Sequence, residues 1–190
     1  MSDIKVGFAL CGSLCTLDRV MEQFEKICEL YPDVTPIMSE ASSEIDSRFG
    51  NAEDFVRRVQ KLSGKEVIRT IKDAEPIGPK KLFDILIIAP CTGNTIAKLA
   101  NGITDSCVTM AAKAHLRNEK PLLLAVSTND GLAGAASNIG SLLNRRNIYF
   151  VPFGQDDPFK KPRSLVAKFE LIPNSIEAAV KGIQIQPILQ

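Results

Sequence analysis

Two stretches, residues 85–90 and 122–126, restrict what this chain can fold into more than any others, because they are apolar without interruption. A strand with one wet face alternates apolar and polar residues. A short continuous apolar run bounded by turn residues reads as a strand covered on both faces. Neither run approaches the roughly 18 residues that a bilayer span requires. Residues 4–10 have the same character, and 33–38, 67–69, 148–151 and 166–172 read as shorter strands.

Between these runs the pattern changes period. Leu17, Val20, Met21, Phe24, Ile27 and Cys28 fall on one helical face. Asn51 opens a helix that Gly64 stops, and residues 94–101 form a short helix ended by Gly102. Thr104 or Asp105 caps the next, through about Arg117. A small-residue helix follows over 132–144, and a last amphipathic one over 174–181. Residues 75–79 read as a loop, and the polar 154–162 segment as a mobile flap. Buried strands alternating with helices predict a doubly wound parallel sheet, a three-layer α/β/α, Rossmann-like arrangement. With no repeat and no dividing linker, residues 1–190 are expected to form one domain.

Charge excludes some functions. Lys plus Arg number 23 against 22 Asp plus Glu, so nothing favours nucleic acid or an anionic membrane. Five cysteines without C-x-x-C spacing and one histidine, His115, give no metal framework and suit a reducing cytoplasm. Residues 1–5 run directly into a strand, so no secretory leader is expected.

In a doubly wound sheet, ligands bind outside the carboxyl ends of the strands. That rule selects four loops. The first, 11–16, offers Gly12 and Ser13 ahead of a helix, either an anion cradle or a plain capped turn. The second, 39–50, starts at Ser39 and carries one cation, Arg48, suited to bidentate capture of a carboxylate or phosphate or else simply solvated. The third, Pro90 Cys91 Thr92 Gly93 Asn94 Thr95, concentrates polar groups after the most buried strand. The fourth, 127–131, presents Ser127 and Thr128 and turns at Gly131. His115 reads as a packed histidine, and Cys11 and Cys91 as small apolar filling.

The segment 89–105, with Pro90, Asn94 and Thr95 followed by Gly102, Ile103 and Asp105, resembles a signature of the FMN-binding flavoprotein family, which includes cysteine decarboxylases and flavin prenyltransferases. The resemblance implies FMN across the strand ends. Its phosphate would lie near Gly12, Ser13, Pro90, Cys91, Thr92, Asn94 and Thr95, and its ring near Ser39, Ser127 and Thr128. Within the family the chain resembles subunits from spore-forming bacteria that work in the mother-cell cytoplasm beside an A subunit. That likeness implies oxidation of a dihydropyridine dicarboxylate, with NAD(P) on the A subunit, and a homo-oligomer built from trimers. Arg48 and Lys98 are then expected to hold the dicarboxylate, and Asn94 and Arg48 to act in catalysis. Two departures argue against a decarboxylase acting alone. A Pro-Ala-Met-Asn loop is replaced by Ser127 Thr128 Asn129, and an early catalytic histidine is missing. A non-redox binding subunit with a vestigial flavin site is the other alternative.

Overall fold

The computed structural model describes residues 3–46 and 50–190. Its centre is a sheet in which β1 (Lys5–Leu10), β2 (Asp33–Met38), β3 (Ile85–Cys91) and β4 (Leu122–Thr128) run parallel in the order β2-β1-β3-β4. The chain starts at β1, steps outward to β2 and then crosses back to β3. The switch point therefore falls between the carboxyl ends of β1 and β3, where doubly wound sheets open a ligand crevice. Every residue of β3 is buried.

The expectation of a purely parallel sheet is corrected at one edge. The first half of β4, Leu122 to Leu124, pairs in parallel with β5 (Ile148–Phe150). Its second half turns to an antiparallel partner, Ser127 and Thr128 facing Val166 and Leu165 of β7 (Leu165–Ala167). β6 (Phe153–Gly154) pairs with β7 in turn. The segment read as an edge strand over 166–172 is thus a short interior one, followed by a 3-10 turn and a helix.

Helices cover both faces. α1 (Leu17–Leu30) and α8 (Ile172–Val180) pack on one side, with α3 (Ala52–Ser63) beside β2. On the other lie α4 (Ile71–Ala74), α5 (Gly93–Asn101), α6 (Cys107–Leu116) and α7 (Ala136–Leu143). Local chemistry sets their ends. The Asn51 side chain accepts from the Glu53 amide at 2.9 Å, and Gly102 ends α5 in the left-handed region.

Several sequence expectations shift. The cap of α6 is Ser106, not Thr104 or Asp105; it forms a reciprocal box with Thr109, satisfying two amides where a cap without a reciprocal partner satisfies one. The loop after β2 begins with one helical turn, α2 (Glu40–Ser43), because the Ser42 and Ser43 hydroxyls donate back to the Ser39 carbonyl. The stretch 75–79 opens with a 3-10 turn. Residues 67–69 contribute a single bridge, Ile68 to Ile37. The small-residue helix starts at Ala136, since Asp130 spends its carbonyl on the amides of Ala133 and Ala135 in a run of turns. Pro90 and Cys91 belong to β3 rather than to the loop. The pairing of β3 with β4 shifts between Ile88 and Cys91, and this irregularity admits a proline without an N–H in an interior strand.

Candidate functional site

At the end of β1 the chain turns through Cys11, Gly12 and Ser13 before a 3-10 turn, Leu14–Thr16, leads into α1. No side chain caps α1, which continues directly from the 3-10 turn. Instead the Ser13 hydroxyl lies 2.9 Å from that of Ser127, at the far end of β4. Thr16 closes the triangle, 3.0 Å from the Ser13 hydroxyl and 3.2 Å from that of Ser127. β1 and β4 are not neighbours, so this hydroxyl cluster bridges across the end of β3.

The Thr92 hydroxyl accepts from the Thr95 amide and caps α5. The amides of Gly93 and Asn94 precede the helical ladder and carry its positive dipole end. Gly93 allows close approach. A Cβ there would sit 2.7 Å from the Thr128 hydroxyl and 3.0 Å from an Asp130 carboxylate oxygen, so α5 could not otherwise reach β4. Gly12 does the same for α2, where a Cβ would meet that of Ala41 at 2.6 Å.

Two adjoining clefts result, sharing Gly12 and Thr92. The larger, about 330 Å³, opens among Gly12, Ser39, Thr92, Asn94, Thr95 and Lys98. The smaller, about 270 Å³, is walled by Gly12, Ser13, Thr92, Gly93, Ser127 and Thr128. Each is near the lower limit of a small-ligand site, about 300 Å³, and together they form a continuous rim. Pro90 and Cys91 line neither cleft; both are buried in β3. Arg48 lies outside the described residues.

Four residues that sequence reasoning passed over border the larger cleft: Glu40, Ala41, Ser106 and Val108. Ser106 was within reach, since Ser-x-x-Thr is a capping pattern and the cap ends beside α5. Glu40 was not, because only the α2 turn brings it to the cleft border. Asp130 lines neither cleft; it takes a hydrogen bond from the Thr128 hydroxyl behind the smaller one.

Lys98 is one-quarter exposed and pairs with Asp105 at 2.8 Å. The hydrogen bond from Lys98 holds the Asp105 carboxyl below the usual range. The thiols beneath the cleft are inert. Burial pushes Cys11 up to about 11 and Cys107 up to about 12, and raises Cys91 well above the ordinary thiol value. His115 is buried with Nε2 2.9 Å from the carbonyl of Pro121, at the start of β4 and so at the opposite end of the sheet. Among the described residues no cluster of His, Cys, Asp and Glu could hold a metal, and no helix is long and apolar enough to cross a membrane.

A flavoprotein family model matches residues 1–152, a span that includes all four loops. The chain belongs to the flavoprotein family. Along its whole length it is 46% identical to the dipicolinate synthase B subunit of Bacillus subtilis (strain 168), covering 96% of that protein. The crystal structure of the dipicolinate synthase B subunit from Bacillus halodurans superposes with a TM-score of 0.91 at 44% identity, over 100% of this chain and 97% of that one. A more distant flavoprotein, Burkholderia xenovorans DmrB in complex with FMN, matches at a TM-score of 0.70 and 18% identity over 94% of this chain and 96% of its own. That likeness bears on the fold alone.

Proposed function

We propose that this flavoprotein is the B subunit of a dipicolinate synthase, binding FMN at the rim and oxidising a dihydrodipicolinate to dipicolinate together with an A subunit that carries NAD(P). The observation that carries the proposal is the convergence of Ser13, Thr92 and Ser127, from three separate loops, on adjoining clefts at the switch point. The donor set fits a phosphorylated planar cofactor. Ser13, Ser127 and Thr128 supply hydroxyls, and Gly93 and Asn94 supply amides at a helix start, suited to a phosphate. The longer cleft beside Ser39 and Thr95 takes the ring.

Aromatising the dihydropyridine removes two electrons and two protons, as one hydride and one proton. FMN, when bound, supplies the hydride acceptor. The chain's own groups hold the dicarboxylate and take the proton. Lys98 offers a cation inside the cleft, and Arg48 is the second carboxylate anchor. Asn94 is exposed at the cleft wall, where its carboxamide orients the ring. Glu40 is the one acidic residue lining either cleft among the described residues, and on this reading it accepts the proton. The reading includes a homo-oligomer built from trimers, working in the cytoplasm of the mother cell during sporulation.

One observation favours a second reading, a non-redox binding subunit. Asp130 stands against the start of α5 and already occupies part of the helix's positive end. An independently acting decarboxylase is disfavoured, because the only histidine is buried at the far end of the sheet. Absorbance spectra of the purified chain before and after FMN titration separate the first two readings. Saturable flavin perturbation that Ser13→Ala weakens about tenfold, the worth of one charge-assisted hydrogen bond, supports the first. No perturbation supports the second. Turnover of dihydrodipicolinate with the A subunit, unchanged by Arg48→Ala, would overturn the assignment of Arg48.

A further inference from the structure

A cavity of about 380 Å³ lies away from the rim, where the carboxyl ends of α5 and α6 meet the end of α7. Its apolar floor comes from Leu99, Ile103 and Leu116, and its rim carries Lys113, Arg117 and Arg145. No aspartate or glutamate lines it. Ile103 is nearly half exposed, so an isoleucine is left facing water at the cavity mouth.

Cations at helix ends have an ordinary explanation, which must be discounted first. A helix carboxyl terminus bears about half a negative charge, so the ends of α5 and α6 together offset about one of the three cations. Arg145 is the one so used. Its guanidinium donates to the carbonyls of Leu99 and Ala100, the first at 3.1 Å. Lys113 and Arg117 remain, one turn apart on α6, both exposed and without a carboxylate within salt-bridge distance among the described residues. Two exposed cations with no carboxylate partner beside an apolar floor are complementary to an anion that carries an apolar body. An inorganic anion would have no use for the floor, and a neutral apolar molecule none for the rim.

We propose that this cavity is a second ligand site, for a small ring-bearing carboxylate: the ring lies on Leu99, Ile103 and Leu116, and the carboxylate meets Lys113 and Arg117. The site is separate from the rim clefts but shares their scaffold. α5 lends Asn94, Thr95 and Lys98 to the larger cleft and Leu99 to this cavity.

The test uses the full chain with isotope-labelled methyl groups, titrated with benzene-1,3-dicarboxylate to millimolar concentration and, separately, with inorganic phosphate. The Ile103 and Leu116 methyls report on this cavity, and those of Val108 report on the rim. The expected result is a saturable shift at Ile103 and Leu116 with the dicarboxylate and none with phosphate. Lys113→Gln and Arg117→Gln, both at exposed positions, should each weaken binding about tenfold and leave the Val108 response unchanged. Three results would overturn the proposal: no shift at Ile103, an equal response to phosphate, or unchanged affinity in both variants.

Discussion

Lowering the pH from 7 to 5 should destabilise this protein through one residue, His115. Burial holds its imidazole at about 4, well below the ordinary 6.5, with the nearby Lys120 adding to the effect. The Pro121 carbonyl, second only to burial in its effect, and Asp84 pull the other way. At pH 7 the group is neutral when folded and mostly neutral when unfolded, so it adds little to the pH dependence there. Below 6.5 the unfolded chain takes up a proton that the folded chain refuses, so stability falls as the pH drops and levels off below about 4. The full difference is about 3 kcal/mol, of which about 2 kcal/mol is lost by pH 5. For a chain of this size that corresponds to a fall in melting temperature of about 4–8 °C. Thermal melts at pH 7, 6 and 5 measure it. The His115→Gln variant keeps a donor for the Pro121 carbonyl but has no proton to gain, and it should lose most of the pH 7-to-5 fall. Since His115 is the only histidine, its imidazole resonance titrates without overlap. A variant that melts with the parent's pH dependence, or an imidazole midpoint near 6.5, would refute the reasoning.

Gly93→Ala should cost about 1–3 kcal/mol, since its methyl would lie 2.7 Å from the Thr128 hydroxyl and the start of α5 would have to withdraw from β4. Chemical denaturation reads the loss, and an FMN titration reads the damage to the cleft; an unchanged denaturation midpoint would show that α5 moves freely. Exposed Cys15 should react with iodoacetamide in the native protein, while Cys11, Cys91 and Cys107 should wait for unfolding. Peptide mass spectrometry after a short exposure checks the order. Asp105→Asn should free Lys98 from its ion pair and, on the proposed function, alter KM for the dihydropyridine dicarboxylate more than kcat when assayed with an A subunit; equal changes in both would count against Lys98 as an anchor.

Much of the site was visible along the chain because its components are local. Thr92 and Gly102 bracket α5 through hydrogen bonds and a backbone angle set within a few residues, and such signals survive without tertiary context. The buried strands were legible because continuous apolar runs have few other places to go. Pro90 and Cys91 misled because proline normally leaves a strand; only the shifted pairing with β4 makes room for it. The partner of Ser127 was equally hidden, since nothing near it in sequence points to Ser13.

By itself, then, the amino-acid order determined the central parallel strands, the ends of several helices and which loops carry hydroxyls and amides, because propensity, periodicity and capping act over a few residues. Only the tertiary structure decided that β4 divides its edge between a parallel and an antiparallel partner. It alone decided that Ser13, Thr16 and Ser127 meet, that Glu40 comes to the cleft border, and that unpaired cations gather over Ile103. These are contacts between segments far apart in the chain, and they follow from sheet register and helix packing, which no local pattern encodes.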